Sequence, residues 1–138
     1  MKKIWAVICG NLRDIFEFYT TLGWLCDARA NGRIEGIVFS TWVGEIDKVD
    51  GLKERLQKLN VCIVENKEID AANTGYSDIV YIRQMYQFQQ GLKVLPHDVF
   101  VLKCRTDYSN FDLNRMEIPE DLELMKVERQ IGMGNLKY

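Results

Sequence analysis

The apolar residues of this chain fall into short unbroken runs, separated by stretches in which they recur every three or four positions. Residues 4–9 (I-W-A-V-I-C) form the first run, the pattern of a strand covered on both faces of a parallel sheet. Gly10 follows and frees the backbone to turn tightly and to approach a ligand. Leu12, Ile15, Phe16, Tyr19, Leu22 and Cys26 then fall at helical spacing, and Asn31-Gly32 supplies a stop. That spacing predicts a helix starting close behind Gly10, with Arg13 in its first turn. Residues 34–41 (I-E-G-I-V-F-S-T) read as the second strand, ending in the cluster Ser40, Thr41 and Trp42. From Ile46, the positions Val49, Leu52, Leu56 and Leu59 predict one continuous second helix closed by Asn60, and residues 61–64 (V-C-I-V) predict a third short buried strand.

A polar loop through Asn73 and Gly75 leads to Ser77, an N-cap candidate for a third helix. Tyr81, Met85, Phe88 and Leu92 are its expected apolar stripe, with Arg83, Gln87 and Gln90 on the opposite, wet side. Pro96 ends the segment. Residues 98–104 make the fourth strand, in which Val99 to Leu102 run unbroken and Cys104 lies two beyond. Arg105, Thr106 and Asp107 follow at once, so a cation, a hydroxyl and a carboxylate emerge together at a strand's carboxyl end. The alternation β-α-β-α-β-α-β predicts an α/β class fold, a three-layer α/β/α Rossmann-like domain with a mostly parallel central sheet. In such sheets ligands bind beyond the carboxyl ends of the strands. After Asp107 the pattern weakens. Pro119 with Glu120 and Asp121 predicts one more helix, to about Gln130, before Gly132 and Gly134.

The 138 residues suit one domain with a real core. A net charge of -2 gives no basic field, so nucleic acid is not an expected partner. No apolar run reaches the length of a membrane span, and Met1-Lys2-Lys3 leads into a run too short for a secretory signal, so the expected location is cytoplasmic. Cys9, Cys26, Cys62 and Cys104 show no C-x-x-C spacing and are expected as reduced core residues. His97 is the only histidine, which leaves a Ser-His-Asp triad or a multi-histidine zinc site little to build from. Carboxylates, arginines, hydroxyls and backbone amides remain as the candidate chemistry.

Asp107 beyond the central strand suits Mg²⁺ or Mn²⁺ bridging a diphosphate, because hard divalent ions take oxygen ligands and often only one or two from protein. The plainer alternative is a turn cap. Gly10 and Arg13 would contact a base or phosphate, or serve only as a turn glycine and a solvated cation. Ser40, Thr41 and Trp42 would hold a nucleotide by hydroxyl hydrogen bonds and stacking, although Trp42 equally suits a cover for the sheet's end.

Three stretches taken together, I-W-A-V-I-C-G-N-L-R at 4–13, I-V-F-S-T-W at 37–42 and V-L-K-C-R-T-D at 101–107, resemble the WavE lipopolysaccharide-synthesis family. That family resembles GT-A glycosyltransferases, which use nucleotide-sugar donors. The helix segment Ile82-Arg83-Gln84 to Gly91-Leu92 is similar to the family's R-Q…G-L helix and adds Arg83 and Gln84 to the candidates. The resemblance implies that Gly10, Arg13, Ser40, Thr41, Trp42, Arg83, Gln84, Arg105 and Asp107 bind the nucleotide-sugar. Asp107 would take the last position of the acidic D-x-D motif and hold Mg²⁺ or Mn²⁺. The first position is Arg105, a departure that lets a guanidinium neutralise diphosphate charge in the ion's place. The resemblance also implies a glycan or lipid-linked glycan acceptor and, with no membrane span, at most peripheral association with the inner face of the cell membrane. No acceptor-binding half or catalytic base of the family is visible after residue 110, so catalytic residues stay unassigned. Residues 1–110 are expected to be the donor-binding domain, and 111–138 an extension that starts a missing acceptor-binding half. The rival reading is a non-catalytic α/β nucleotide- or flavin-binding or regulatory module of the flavodoxin or receiver kind. A receiver needs an acidic cluster after its first strand, and a flavin module a hydroxyl-rich phosphate loop there; Gly10-Asn11-Leu12-Arg13 offers neither.

Overall fold

The computed structural model describes residues 3–70, 79–107, 126–128 and 131–135. Within them the chain runs β1 (Ile4–Cys9), α1 (Ile15–Ala30), β2 (Gly36–Trp42), α2 (Leu52–Lys58), β3 (Cys62–Asn66), α3 (Ile79–Leu92), β4 (Phe100–Arg105), β5 (Lys126–Glu128) and β6 (Ile131–Asn135). The described strands form one sheet in the order β3-β2-β1-β4-β6-β5. The first four pair in parallel and β6 runs antiparallel to β4 and β5. This is the α/β Rossmann-like, mostly parallel arrangement expected from the alternation of apolar runs and helical stripes.

Strand periodicity sorts each run onto two faces. Ile4, Ala6 and Ile8 of β1, Ile37 and Phe39 of β2 and Phe100, Leu102 and Cys104 of β4 pack under Phe18, Leu22 and Leu25 of α1 and Leu52 and Leu56 of α2. The Phe18 and Phe39 rings meet at 4.8 Å there. The intervening Val7, Cys9, Val38 and Val101 pack under Phe88 and Leu92 of α3. Helices therefore cover both faces, and β1, at the centre, is buried on both. Gly91 lets α3 settle close to the sheet: a Cβ there would stand 2.8 Å from Val7 Cγ1.

Several expectations are corrected. α1 begins at Ile15 rather than near Leu12, because Asp14 is the N-cap: its Oδ1 accepts from the amides of Phe16 and Glu17 at 3.0 and 3.3 Å. Arg13 thus precedes the helix instead of sitting in its first turn. The second helix is broken into a 3-10 turn, Ile46–Lys48, and α2, because Val49 is extended and Gly51 adopts a left-handed φ of 75°. β3 is a sheet edge, so Cys62 is exposed instead of buried, and the strand runs on to the buried Asn66. Met85 is exposed and Gln87 fully buried, so the sheet-facing stripe of α3 runs through Gln87, Phe88, Gly91 and Leu92. The helix expected to reach about Gln130 is replaced at Lys126–Glu128 by a strand that pairs with β6. The Ser77 cap and the start of that helix at Pro119 lie outside the described residues.

Candidate functional site

β1 connects to β2 on one side, while β4 comes in on the other, so the strand order reverses between β1 and β4. The crevice above such a point collects the turns leaving both strands. Here it is lined from β1 by Cys9, Gly10, Asn11 and Arg13, from β4 by Arg105, Thr106 and Asp107, from the end of β2 by Trp42, and from α3 by Arg83, Gln84 and Gln87. Its enclosed part measures about 90 Å³. Pockets that swallow a drug-sized ligand enclose roughly 300–1,000 Å³, so this one takes a phosphate-sized head with the remainder of any ligand outside.

The turn after β1 is fixed by its neighbours. Thr106 donates its hydroxyl to the Asn11 carbonyl at 2.6 Å and its amide to the Cys9 carbonyl at 3.1 Å. Thr41 Oγ1 donates to the Gly10 carbonyl at 2.9 Å, and the Leu12 amide donates to Glu45 Oε1 at 3.1 Å. Gly10 has a φ of 131°, and a Cβ added there would lie 2.5 Å from Thr106 Oγ1. Both the conformation and the close approach therefore require glycine.

Of the residues singled out from sequence, Gly10, Arg13, Trp42, Arg83, Gln84, Arg105 and Asp107 meet at the crevice. Ser40 and Thr41 do not. Both are fully buried, and their hydroxyls are used inside the protein: Ser40 Oγ donates to the Gln87 carbonyl at 2.7 Å and accepts from Asn66 Nδ2 at 3.0 Å. They tie β2 to α3, to β3 and to the Gly10 turn. Trp42 is 4% exposed, stacked on Tyr86 at 6.0 Å and 12°, with the Arg83 guanidinium 5.0 Å from its ring centre. Its faces serve the protein, yet its indole N–H has no hydrogen-bond partner among the described residues. A buried unpaired donor beside a polar crevice is the kind of group that a ligand or water satisfies.

Charge in the crevice is one-sided. Three guanidiniums, Arg13, Arg83 and Arg105, face one carboxylate, in a chain of net charge -2. Arg83 also pairs with Glu68 outside the lining, and Arg13 has no carboxylate partner among the described residues. Arg105 grips Asp107 with both prongs, Nε to Oδ1 at 2.9 Å and Nη2 to Oδ2 at 2.7 Å, the fork geometry that guanidinium also uses for phosphate. With both its oxygens committed, Asp107 is a poor start for a divalent-ion site. No group of three or more His, Cys, Asp or Glu side chains placed to hold a metal ion occurs among the described residues. The donor set does not fit Mg²⁺ or Mn²⁺. Burial pushes the Cys9 thiol up to about 12 although the nearby Lys103 ammonium pulls it back, and burial raises Cys104 as well. Cys9 therefore lines the crevice as a neutral, unreactive wall. Lys103 itself lies over the Phe88 ring at 5.7 Å.

No protein-family model matches the chain, and no curated protein matches it. The functional reading therefore stands on the crevice.

Sequence reasoning misses Asn11 and Gln87 in the lining of this site and Tyr86 behind Trp42. For Gln87 a signal exists: Gly91, one turn later on the same face, marks the side of α3 that can approach the sheet.

Proposed function

We infer that the crevice binds the phosphate end of a nucleotide-sugar, and that the chain is the donor-binding portion of a glycosyltransferase acting on a surface polysaccharide or lipopolysaccharide. One observation carries the reading: three arginines face a single, already paired carboxylate at the switch point between β1 and β4. A site so charged selects an anion, and its position at the carboxyl ends of β1 and β4, beside the Gly10 turn, suits a phosphoester. Supporting it, three of the four stretches that resemble the WavE family end at this crevice, at Arg13, Trp42 and Asp107, and Arg83 and Gln84 of the fourth line it. The small enclosed volume matches a diphosphate with its nucleoside and sugar lying outward.

In the transfer, an acceptor hydroxyl would displace the nucleoside diphosphate from the sugar's anomeric carbon. The guanidiniums would stabilise the negative charge growing on the leaving phosphate. The acceptor's proton needs a base, and Asp107, the one carboxylate of the crevice, is held by Arg105. A second reading, binding without transfer, draws support from that commitment. No helix among the described residues is long and apolar enough to cross a membrane.

Thermal-shift measurements against UDP, GDP, CDP, ADP, CMP and flavin mononucleotide test the reading. A ligand at a hundred times its Kd stabilises the native state by about 2.7 kcal/mol, a shift of several degrees for a domain of this size. One nucleoside diphosphate is expected to stand out. A shift with flavin mononucleotide alone, or with none of the six, refutes it.

A further inference from the structure

The Arg105–Asp107 pair has a consequence for how the crevice takes its ligand. Both prongs of Arg105 are occupied by a carboxylate two residues away, at 2.9 and 2.7 Å, and the pair stands partly exposed at the crevice mouth. A carboxylate presents two oxygens to a guanidinium much as a phosphate does, so Asp107 fills the position that an incoming phosphate would claim. Arg13 has no such partner among the described residues, and Trp42 leaves a buried indole N–H unsatisfied beside the same space.

We propose that the crevice binds a phosphate or diphosphate group without a divalent cation, on Arg13 and Arg105, and that Asp107 is an internal counter-anion displaced from Arg105 by the ligand. This rests on the inferred nucleotide-sugar site and sets its charge logic. If Asp107 held a metal, removing its charge would abolish binding. Acting as a competitor, it weakens binding, and removing its charge tightens it. The pair is partly solvated, so the competition is modest: ion pairs of this exposure are worth little, and about a three-fold gain in affinity is expected. Loss of Arg105 removes a charge-assisted fork and is expected to cost about ten-fold.

The experiment is calorimetric titration of the folded chain with inorganic pyrophosphate, and with the nucleoside diphosphate giving the largest thermal shift. Each is run in EDTA and again with Mn²⁺, for wild type, Asp107→Asn, Arg105→Gln and the double variant. Expected are binding in EDTA, a tighter Asp107→Asn, a weaker Arg105→Gln, and no gain from Asp107→Asn once Arg105 is gone. That last result separates displacement from a general change of field, which would persist in the double variant. Binding that requires Mn²⁺, an Asp107→Asn variant that binds more weakly, or a gain of equal size in the double variant overturns the proposal. Nucleotide binding that is strictly Mn²⁺-dependent would overturn it while leaving the nucleotide site standing. Pyrophosphate bound without Mn²⁺ and with no preference for any nucleoside diphosphate would do the reverse.

Discussion

The two ends of the parallel sheet are built from similar parts and differ in charge. At the amino end, Lys3, Trp5, Glu35, His97 and Asp98 surround an open hollow of about 390 Å³, larger than the roughly 90 Å³ enclosed at the carboxyl end. Each end has a tryptophan whose buried indole N–H lacks a partner among the described residues, Trp5 at one and Trp42 at the other. At the amino end, however, Lys3 and Glu35 neutralise each other at 3.2 Å, whereas at the carboxyl end Glu68 and Asp107 pair with Arg83 and Arg105 and leave Arg13 without a carboxylate partner among the described residues. Size therefore does not separate the two hollows. Strand direction does: the turns after β1 and β4 both leave at the carboxyl end and line the crevice together. At the amino end Trp5 lies over Gly36, where a Cβ would stand 2.4 Å from the ring.

The largest expected effect comes from adding a methyl group at each end. Gly10→Ala should cost about 3 kcal/mol, because a left-handed φ and a contact at 2.5 Å add together, and Thr106 Oγ1 cannot retreat while it holds Asn11. Gly36→Ala meets only a side chain, the Trp5 ring, and adds no left-handed φ, so it should cost about half as much. Denaturant titration of the two variants checks this, and a Gly36→Ala as costly as Gly10→Ala would mean that both ends are equally rigid. Next in size is Ser40→Ala, which strips a buried hydroxyl from the Gln87 carbonyl and from Asn66. A loss of about 1–2 kcal/mol is expected with nucleotide affinity unchanged. Lost affinity at intact stability would instead make Ser40 a ligand contact.

The contrast between the ends also explains what the sequence makes legible. Strands β1, β2 and β4 are readable because a strand buried on both faces admits almost no polar residue, and the polar clusters that end these runs mark the site by residue type alone. Edges are not readable. Val61 to Val64 has a core strand's composition, yet β3 lies at the sheet's margin, and only the tertiary arrangement decides that. Lys126–Glu128 sits in a stretch with helical capping signals but pairs as a strand, because β6 takes the side of β4 that β1 leaves free and offers β5 an edge in turn. Within the site, Ser40 and Thr41 suggest ligand contacts because hydroxyls at a strand end suit a nucleotide. Burial turns them inward, where unpaired hydroxyls would be costly and the Gln87 and Gly10 carbonyls need donors. Residue type announces polarity there; only packing tells which way it points.

The smallest expected effect is the most selective between the ends. Trp5→Phe and Trp42→Phe each delete an indole N–H that makes no hydrogen bond in the protein, so neither should lower stability by more than a few tenths of a kcal/mol through hydrogen bonding. They should part in ligand binding. Phenylalanine at position 42 keeps an aromatic ring against Tyr86 and Arg83 and loses only the donor beside the crevice, so affinity for the nucleoside diphosphate should fall about five-fold. At position 5, on the far side of the sheet, affinity should not change. Titration of both variants with the same nucleotide measures the difference. Equal affinities would mean that the Trp42 N–H stays buried away from the ligand, and that the arginines act without a neutral donor beside them.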